Sequence, residues 1–164
     1  MKHIVHIDNL GTILEYGILS HNEAKAKGLI KNDISMDDVQ QRREKRFVCE
    51  WIDENNSENK KSLFVHDFAS FYFQSRNTML YKRHNLQDNL LIILISSEWL
   101  NSPNTLYSDG NLGSPKSKLF SGSEQFKFLD WDLLQSDSWN NPDEDIKKEQ
   151  RRKMCAEVLI YPKI

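Results

Sequence analysis

The stretch from Leu63 to Tyr81, LFVHDFASFYFQSRNTMLY, constrains the fold more than any other part of the sequence. Aromatic and apolar residues alternate with others from Phe64 to Phe73, which predicts a β-strand whose successive side chains lie on opposite faces. A turn follows, and Thr78 to Lys82 is expected to form a short helix. Because His, Tyr and Arg side chains occur along this segment, it is either one wall of a ligand cleft or an aromatic core strand.

The length, composition and net charge of the chain limit which class of protein it can be. The 164 residues suffice for one domain with a core, and an apolar fraction of 38% is typical of a soluble protein. The net charge of −2 excludes a broad basic field, so contact with nucleic acid would be confined to patches. The apolar run from Leu90 to Ile95 is too short to cross a bilayer. Cys49 and Cys155 are isolated, so we expect a cytoplasmic protein without metal, not attached to a membrane.

The N-terminal residues predict a βα unit. His3 to Ile7 is expected to be a strand, and the helix from Leu10 to Tyr16 can be capped by Asp8 or Asn9. Gly17 can end this helix in a left-handed conformation. Free amides at such a helix start bind anions, including phosphates, whereas capping alone is the simpler explanation for Asn9.

The next segment predicts a second helix and a surface loop. Ser35 followed by Asp38 is a capping-box variant, so a helix is expected from there to about Arg46, ending in a basic cluster. Residues Asp53 to Lys61, DENNSENKK, are expected to form a polar surface loop or mobile flap.

The second half of the chain alternates strands with irregular segments. Leu90 to Ser96 predicts a buried strand, and Trp99 to Ser123 predicts a long irregular loop with at most one short strand near Thr105. Asp143 is expected to start a charged helix that runs to about Ala156. Glu157 to Tyr161 predicts a strand that begins on a carboxylate, which needs a partner or a chemical role in apolar surroundings.

Four blocks of the sequence together resemble the DarT family of DNA ADP-ribosyltransferases. These blocks are His3 to Gly17, Gln41-Arg42-Arg43, His66 to Tyr81 and Ala156 to Leu159. Each is weakly specific alone, but the four in this order and spacing are strongly specific, and they span nearly the whole chain. The resemblance implies an α+β ADP-ribosyltransferase fold, with two small, mainly antiparallel sheets and surrounding helices around an NAD cleft.

The resemblance also implies an activity and partners. Members of the family transfer ADP-ribose from NAD to a base of single-stranded DNA, and they act as toxins that a macrodomain antitoxin, DarG, neutralises. We therefore expect residues 1–164 to form a single domain of this kind, C-terminally short relative to the family. NAD would be the donor substrate, with no metal, and single-stranded DNA and a DarG-like protein would be the partners.

The motif positions imply the site residues. Arg43 and Glu157 match the catalytic arginine and glutamate of the family. The residues expected to bind NAD are His3, Ile4, Val5, Asn9, Ser20, Arg43 and Tyr72. The residues expected to bind DNA are His66, Arg76, Met79 and Asn111.

The residue types suit this chemistry. Breaking the bond between nicotinamide and ribose produces oxocarbenium character, which a carboxylate such as that of Glu157 stabilises. If the acceptor is a base nitrogen, its proton must leave as the new bond forms. Either Glu157 takes that proton, or Arg43 stabilises the anionic base while Glu157 serves the sugar. Arginine is a poor general base, because its pKa exceeds about 12, so we favour electrostatic work for Arg43.

Departures from the family pattern leave alternatives open. Ser70 and Thr78 replace prolines that are usual in the family, and Ser108 to Asn111 stands where the family often has Thr-Asp-x-His. The first two replacements allow a different loop geometry, whereas the changed Ser108 to Asn111 loop and the expected short C-terminal part allow RNA or protein as the acceptor. The expected short C-terminal part allows a non-catalytic module that binds nucleic acid. Hydrolysis of NAD by water is a further alternative.

Overall fold

The computed structural model describes residues 1–53 and 56–161. The strands in these residues are β1 Lys2–His6, β2 Phe47–Asp53, β3 Asn56–Phe64, β4 Ala69–Tyr72, β5 Leu90–Leu94, β6 Thr105–Ser108, β7 Leu119–Phe120 and β8 Glu157–Ile160. The α-helices are α1 Leu10–Tyr16, α2 His21–Ala26, α3 Asp37–Glu44, α4 Thr78–Lys82, α5 Trp131–Gln135 and α6 Glu144–Lys153. Short 3₁₀ turns connect several of these elements.

Six strands form one sheet in the order β5-β1-β4-β8-β6-β7, and β2 and β3 form a separate hairpin sheet. Every pairing is antiparallel. The prediction of an α+β fold with two mainly antiparallel sheets is therefore confirmed. Strand β8 lies between β4 and β6, with Glu157 opposite Tyr72 on the β4 side. This register brings a charged residue into the middle of the sheet.

The hydrophobic core covers both faces of β8. Val158 and Ile160 pack in one cluster with Phe71, whereas Leu159 packs in a second cluster with Leu63. These alternating faces agree with the strand predicted for Glu157 to Tyr161, because successive side chains of a strand lie on opposite faces. Because both faces are covered, all four residues of the strand are buried, including Glu157. The central strand thus holds its carboxylate rigidly.

The predicted strand from Phe64 to Phe73 is interrupted. Residues Val65–Asp67 form a 3₁₀ turn between β3 and β4. The cause is local, because the Asp67 carboxylate accepts a hydrogen bond from the Phe64 amide at 2.8 Å. Such side-chain bonding to the backbone competes with a strand ladder. The short helix expected at Thr78–Lys82 is confirmed, with the Asn77 side chain as its cap.

The polar loop predicted for Asp53 to Lys61 is wrong from Asn56 onward. Asn56–Phe64 is β3, in which Lys61 pairs with Trp51 and Lys60 with Ile52 of β2. Residues 54 and 55 of the predicted loop lie outside the described residues. The segment was predicted to be a loop because its composition is polar, but pairing with the neighbouring strand β2 stabilises it as a strand.

Two further boundary predictions need correction. Ser35 does not cap α3, which begins at Asp37 after Met36 and ends at Glu44 rather than near Arg46. The strand at Leu90–Leu94 is present but lies at the end of the sheet order, so Leu94 is 74% exposed rather than buried.

The irregular segment after Trp99 contains the predicted strand at Thr105–Ser108 and also the unpredicted strand Leu119–Phe120. The charged helix begins where predicted, after the Asp143 cap. No helix within residues 1–53 and 56–161 has the length and apolar character needed to cross a bilayer.

Candidate active site

A cleft of about 310 Å³ opens where β1, β4 and β8 meet α1, α2 and α3. Ten of the twelve residues predicted for the site line it. They are His3, Ile4, Val5, Asn9, Ser20, Arg43, Tyr72, Met79, Asn111 and Glu157. His66 and Arg76 are not part of the lining. The fold therefore gathers residues from both ends of the chain around one hollow.

Arg43 and Glu157 form an ion pair in the cleft, although 114 residues separate them in sequence. Nη1 of Arg43 donates to Oε1 of Glu157 at 2.7 Å and to Oε2 at 2.6 Å. Arg43 is 8% exposed and Glu157 is 1% exposed. Burial, the largest single effect, lowers the pKa of Arg43, but the opposing effects of its neighbours, chiefly the charge and hydrogen bonds of Glu157, together raise that pKa above its usual value. The guanidinium is therefore fixed and charged.

Two further contacts fix the glutamate. The Leu112 amide donates to Oε1 of Glu157 at 2.8 Å, and the Glu157 amide donates to the Ser108 hydroxyl at 3.1 Å. Ser108 in turn donates to the Gly110 carbonyl at 2.6 Å. The last residue of β6 thus holds the backbone of Glu157, and the segment after β6 holds its side chain. Such anchoring satisfies a buried carboxylate and limits its rotamers.

The segment 109–118 is itself held by arginines. Nε of Arg42 donates to the Gly113 carbonyl at 2.9 Å, and Nη1 of Arg46 donates to the Ser114 carbonyl at 2.6 Å. Arg46 also donates to the Ser117 carbonyl. On the other side, Nη1 of Arg152 donates to Oδ1 of Asp109 at 2.8 Å. The basic cluster predicted at the end of α3 therefore supports a loop as well as the cleft.

His3 and Ser70 lie side by side at the cleft wall. Nδ1 of His3 lies 3.2 Å from the Ser70 carbonyl oxygen, and because a carbonyl can only accept, Nδ1 carries the proton. Burial lowers the pKa of His3, with the Ser70 carbonyl opposing that effect. The imidazole is therefore neutral, and Nε2 is an acceptor.

The Ser70 hydroxyl contacts the ion pair directly, because Nη2 of Arg43 donates to it at 3.1 Å. Tyr72, two residues further along β4, also lines the cleft. Burial and the nearby Glu157 carboxylate raise the pKa of Tyr72, so its phenol stays protonated. A neutral ring in this position offers a flat apolar surface and a hydroxyl group.

Asn9 and Ser20 line the cleft but also organise its walls. The Asn9 side chain does not cap α1. Instead Oδ1 accepts the amides of Lys31 and Asn32, and Nδ2 donates to the Asn32 carbonyl at 2.6 Å. Ser20 caps α2 by accepting the Glu23 amide. The cap predicted for Asn9 is therefore replaced by an anchor for residues 31 and 32.

The four residues predicted to contact DNA are not all brought together. Met79 and Asn111 line the cleft. His66 is 5% exposed and its Nε2 lies 2.6 Å from Oε1 of Gln40, so its burial does not fit direct contact with DNA. Arg76 is exposed and forms an ion pair with the exposed Asp137, away from the cleft lining. Neither His66 nor Arg76 therefore lines the cleft, although His66 lies directly behind the lining residue Gln40.

Several residues that line the cleft were not predicted from the sequence. His21, whose ring stacks 4.5 Å from that of His66, and Gln40 both line the cleft. Gln40 lies one turn before Arg43 on α3, so helical spacing could have identified it. Ser70 appeared only as a departure from a family pattern. No sequence signal identifies the Leu112 amide, because a backbone group becomes functional through loop geometry alone.

The arrangement has a defined chemical capacity. A buried carboxylate can stabilise positive charge that develops on a sugar, and it can accept a proton. A guanidinium next to it can stabilise negative charge on an acceptor or leaving group. Neutral His3 and Tyr72 add hydrogen-bonding and aromatic surface without adding charge. This combination fits cleavage of a glycosidic bond with transfer to a nucleophile.

Comparison with known proteins identifies the family. The family model for DarT, ssDNA thymidine ADP-ribosyltransferase, matches residues 2–164. A DNA ADP-ribosyl transferase of Thermus sp. (strain 2.9) is 28% identical over 169 residues, covering 97% of this chain and 73% of the relative. A DNA ADP-ribosyl transferase-DNA ADP-ribosyl glycohydrolase fusion protein of Thermosipho africanus is 29% identical, covering 98% of this chain but 38% of the fusion protein.

Solved structures agree with this assignment. Thermus sp. 2.9 DarT in complex with ADP-ribosylated ssDNA has a TM-score of 0.77 and 26% identity, covering 98% of this chain and 74% of that chain. The same protein in complex with NAD+ has a TM-score of 0.70 at 24% identity, with the same coverage; this second likeness shows the fold. With the family model matching almost every residue, the chain belongs to the DarT family of ssDNA thymidine ADP-ribosyltransferases.

Proposed function

We propose that the protein transfers ADP-ribose from NAD to thymidine bases of single-stranded DNA, with Arg43 and Glu157 as its catalytic residues. The observation that carries this proposal is the buried Arg43–Glu157 ion pair in a cleft of about 310 Å³. Residues 1–164 act as a single ADP-ribosyltransferase domain. The DarT family assignment supports the donor and the acceptor.

Glu157 works at the sugar. The bond between the ribose C1′ and the nicotinamide nitrogen breaks, and its electron pair leaves with nicotinamide. The carboxylate stabilises the resulting oxocarbenium character, and the Leu112 amide keeps that carboxylate oriented. A thymine ring nitrogen then bonds to C1′ and loses its proton to the Glu157 carboxylate.

Arg43 works by charge. As the thymine nitrogen loses its proton, negative charge accumulates on the base, and the guanidinium stabilises it. Arginine does not accept the proton, because its pKa is above about 12 and Glu157 raises it further. His3 accepts a hydrogen bond from a ribose hydroxyl through Nε2, and Tyr72 provides aromatic surface for nicotinamide or for a base.

We also propose a partner and a location. A macrodomain glycohydrolase that removes ADP-ribose from DNA would counteract this activity, and the Thermosipho relative joins both activities in one chain. The protein would act in the cytoplasm, where NAD and single-stranded DNA occur together. Co-expression with a DarG-like protein should relieve growth inhibition, whereas unrelieved inhibition would contradict this partner.

The central test uses short oligonucleotides. The protein is incubated with NAD and single-stranded DNA that contains or lacks thymidine, and the products are analysed by mass spectrometry. We expect a mass gain of one ADP-ribose on thymidine-containing DNA, with a rate about 10²–10³ times lower for Glu157→Gln. Glu98→Gln, a change of an exposed carboxylate, is the matched control and should retain activity.

Two outcomes would contradict the proposal. A mass gain on RNA or protein but on no DNA would move the acceptor to another class. NAD consumption that is unaffected by Glu157→Gln would remove the assigned catalytic residue. Melting curves of each variant show whether a loss of activity reflects unfolding.

A further inference from the structure

Ser70 joins two groups of the cleft through two different oxygen atoms. Its backbone carbonyl accepts the hydrogen bond from Nδ1 of His3 at 3.2 Å. Its side-chain oxygen accepts the hydrogen bond from Nη2 of Arg43 at 3.1 Å. The residue lies on β4 opposite Leu159 of β8, two residues before Tyr72, which pairs with Glu157. The rigid sheet therefore fixes the position of the hydroxyl.

The geometry of the ion pair explains why a second contact matters. Arg43 contacts both carboxylate oxygens of Glu157 through one nitrogen, Nη1. A guanidinium held through two nitrogens in a parallel fork has a defined plane, whereas a contact through one nitrogen allows pivoting about it. The bond from Nη2 to Ser70 supplies the second point of attachment. Together the two contacts define the orientation of the guanidinium plane.

We propose that Ser70 is a positioning residue for the transfer reaction, whose hydroxyl orients the Arg43 guanidinium relative to Glu157. The inference rests on the proposed function of Arg43. Ser70 does not change the charge of the site and acts through Arg43. Since the Ser70 hydroxyl bonds to the Arg43 guanidinium, its loss should lower kcat and leave the KM for NAD nearly unchanged.

The side chain can be changed without disturbing the second contact. The bond to His3 uses the backbone carbonyl, which every substitution retains. Ser70→Ala removes the hydroxyl alone. Ser70→Thr restores a hydroxyl on a β-branched side chain, and Ser70→Val has the same shape without the hydroxyl. Both branched residues are favourable in a strand.

The experiment measures steady-state transfer to thymidine-containing DNA for the wild type and these three variants. We expect kcat to fall about ten- to a hundredfold in Ser70→Ala and Ser70→Val, because a hydrogen bond to a charged group is lost and Arg43 shifts. Ser70→Thr should recover most of the wild-type kcat. The KM for NAD should change less than about threefold in all variants, because the substitutions are expected to slow the transfer step without weakening the binding of NAD. Ser62→Ala, a change of an exposed hydroxyl on β3, serves as the control.

Each outcome decides the inference. Equal kcat values in the valine and threonine variants would overturn it, as would a wild-type kcat in Ser70→Ala. A higher KM with unchanged kcat would assign Ser70 to NAD binding and also overturn it. If the wild-type protein transferred ADP-ribose to no DNA at all, the proposed function would be refuted instead. A failure of the proposed function can therefore be distinguished from a failure of the inference about Ser70.

Discussion

At the scale of single residues, the buried Arg43–Glu157 ion pair carries a cost in stability. Removing two charges from water costs several kcal/mol each, and their mutual attraction only partly repays this. The contacts from Leu112 and Ser70 reduce that cost by satisfying further polar atoms. The pair therefore stabilises the fold little compared with neutral residues, yet it cannot be broken on one side without a penalty.

Arg43→Met should lower the free energy of unfolding by about 3–5 kcal/mol, because it leaves the buried Glu157 carboxylate without its counterion. Adding Glu157→Gln should restore most of this loss, since a neutral amide still accepts the Leu112 hydrogen bond. Urea denaturation of the single and double variants measures both changes.

The ion pair of Glu23 and Lys27, whose side chains are 32% and 46% exposed, provides the comparison for these single and double variants. The same kind of double change there, Glu23→Gln with Lys27→Met, should alter the free energy of unfolding by less than about 1 kcal/mol. A double variant of the buried pair that is no more stable than Arg43→Met would contradict the expectation.

His66 should make stability depend on pH. Burial, together with His21 and Arg43, lowers its pKa from 6.5 to about 4. Below pH 6.5 the unfolded chain binds a proton that the folded protein resists, so the free energy of unfolding should fall as pH decreases from 6.5 towards 4. His66→Gln should flatten this dependence, measured by urea denaturation at several pH values.

Part of the pH dependence should survive that substitution, because burial also lowers the pKa of His21. His84, which is exposed, is the control, and His84→Gln should leave the dependence unchanged. An identical pH dependence in the wild type and in His66→Gln would show that His66 does not resist protonation in the folded protein.

At the scale of elements, the segment 109–118 is the support of the site. Helix α3 contacts it through Arg42, the residue Arg46 just after that helix also contacts it, and α6 contacts it through Arg152. It then presents the Leu112 amide to Glu157. An irregular segment without secondary structure thus has a defined conformation, because side chains of two helices satisfy its carbonyl groups.

Gly110 allows the close approach of this segment to α6. A Cβ atom at residue 110 would lie 2.8 Å from the backbone carbonyl oxygen of Arg152 and would also meet its guanidinium. Gly110→Ala should therefore destabilise the protein by about 1–3 kcal/mol and lower transfer activity, because the segment must move away from Glu157. Thermal denaturation and the oligonucleotide assay measure the two effects.

Gly11 in α1 is the matched control, because a Cβ atom there meets nothing within 4 Å. Gly11→Ala should stabilise the protein by up to about 1 kcal/mol, since alanine is the better helix former. If Gly110→Ala behaved like Gly11→Ala, the close packing of the segment against α6 would be disproved.

At the scale of the whole molecule, β8 is the interior strand against which both the sheet and the hydrophobic core are assembled. It pairs with β4 and β6, and its residues are buried on both faces. Strands at the ends of the sheet order, such as β5, have one hydrogen-bonded neighbour within the described residues. Local opening should therefore cost least at the edges and most at β8.

Hydrogen exchange should reproduce this order. We expect amides of Val158 to Ile160 to exchange most slowly and those of the edge strand β5 to exchange faster, as measured by mass spectrometry of proteolytic fragments. Slower exchange in β5 than in β8 would contradict the central position of β8 in the stability of the fold.

Local patterns in the sequence predicted the elements that depend on neighbours in the chain. The helix Leu10–Tyr16, the charged helix that starts near Asp143 and the alternation along β8 all appear in the structure. Helix caps, glycines that end helices and the alternating burial of a strand depend on a few consecutive residues, so they can be predicted from the sequence without tertiary information. The same holds for the family, whose ordered motifs span the chain.

Tertiary structure alone decided the rest. The polar segment Asn56–Phe64 forms a strand because β2 supplies its hydrogen-bonding partners. His66 is buried because Gln40 and His21 pack against it. The sequence determined that a carboxylate would begin a buried strand. Only the fold could determine that Arg43, Ser70 and the Leu112 amide meet it there, because hydrogen bonds between distant residues depend on packing that no local pattern encodes.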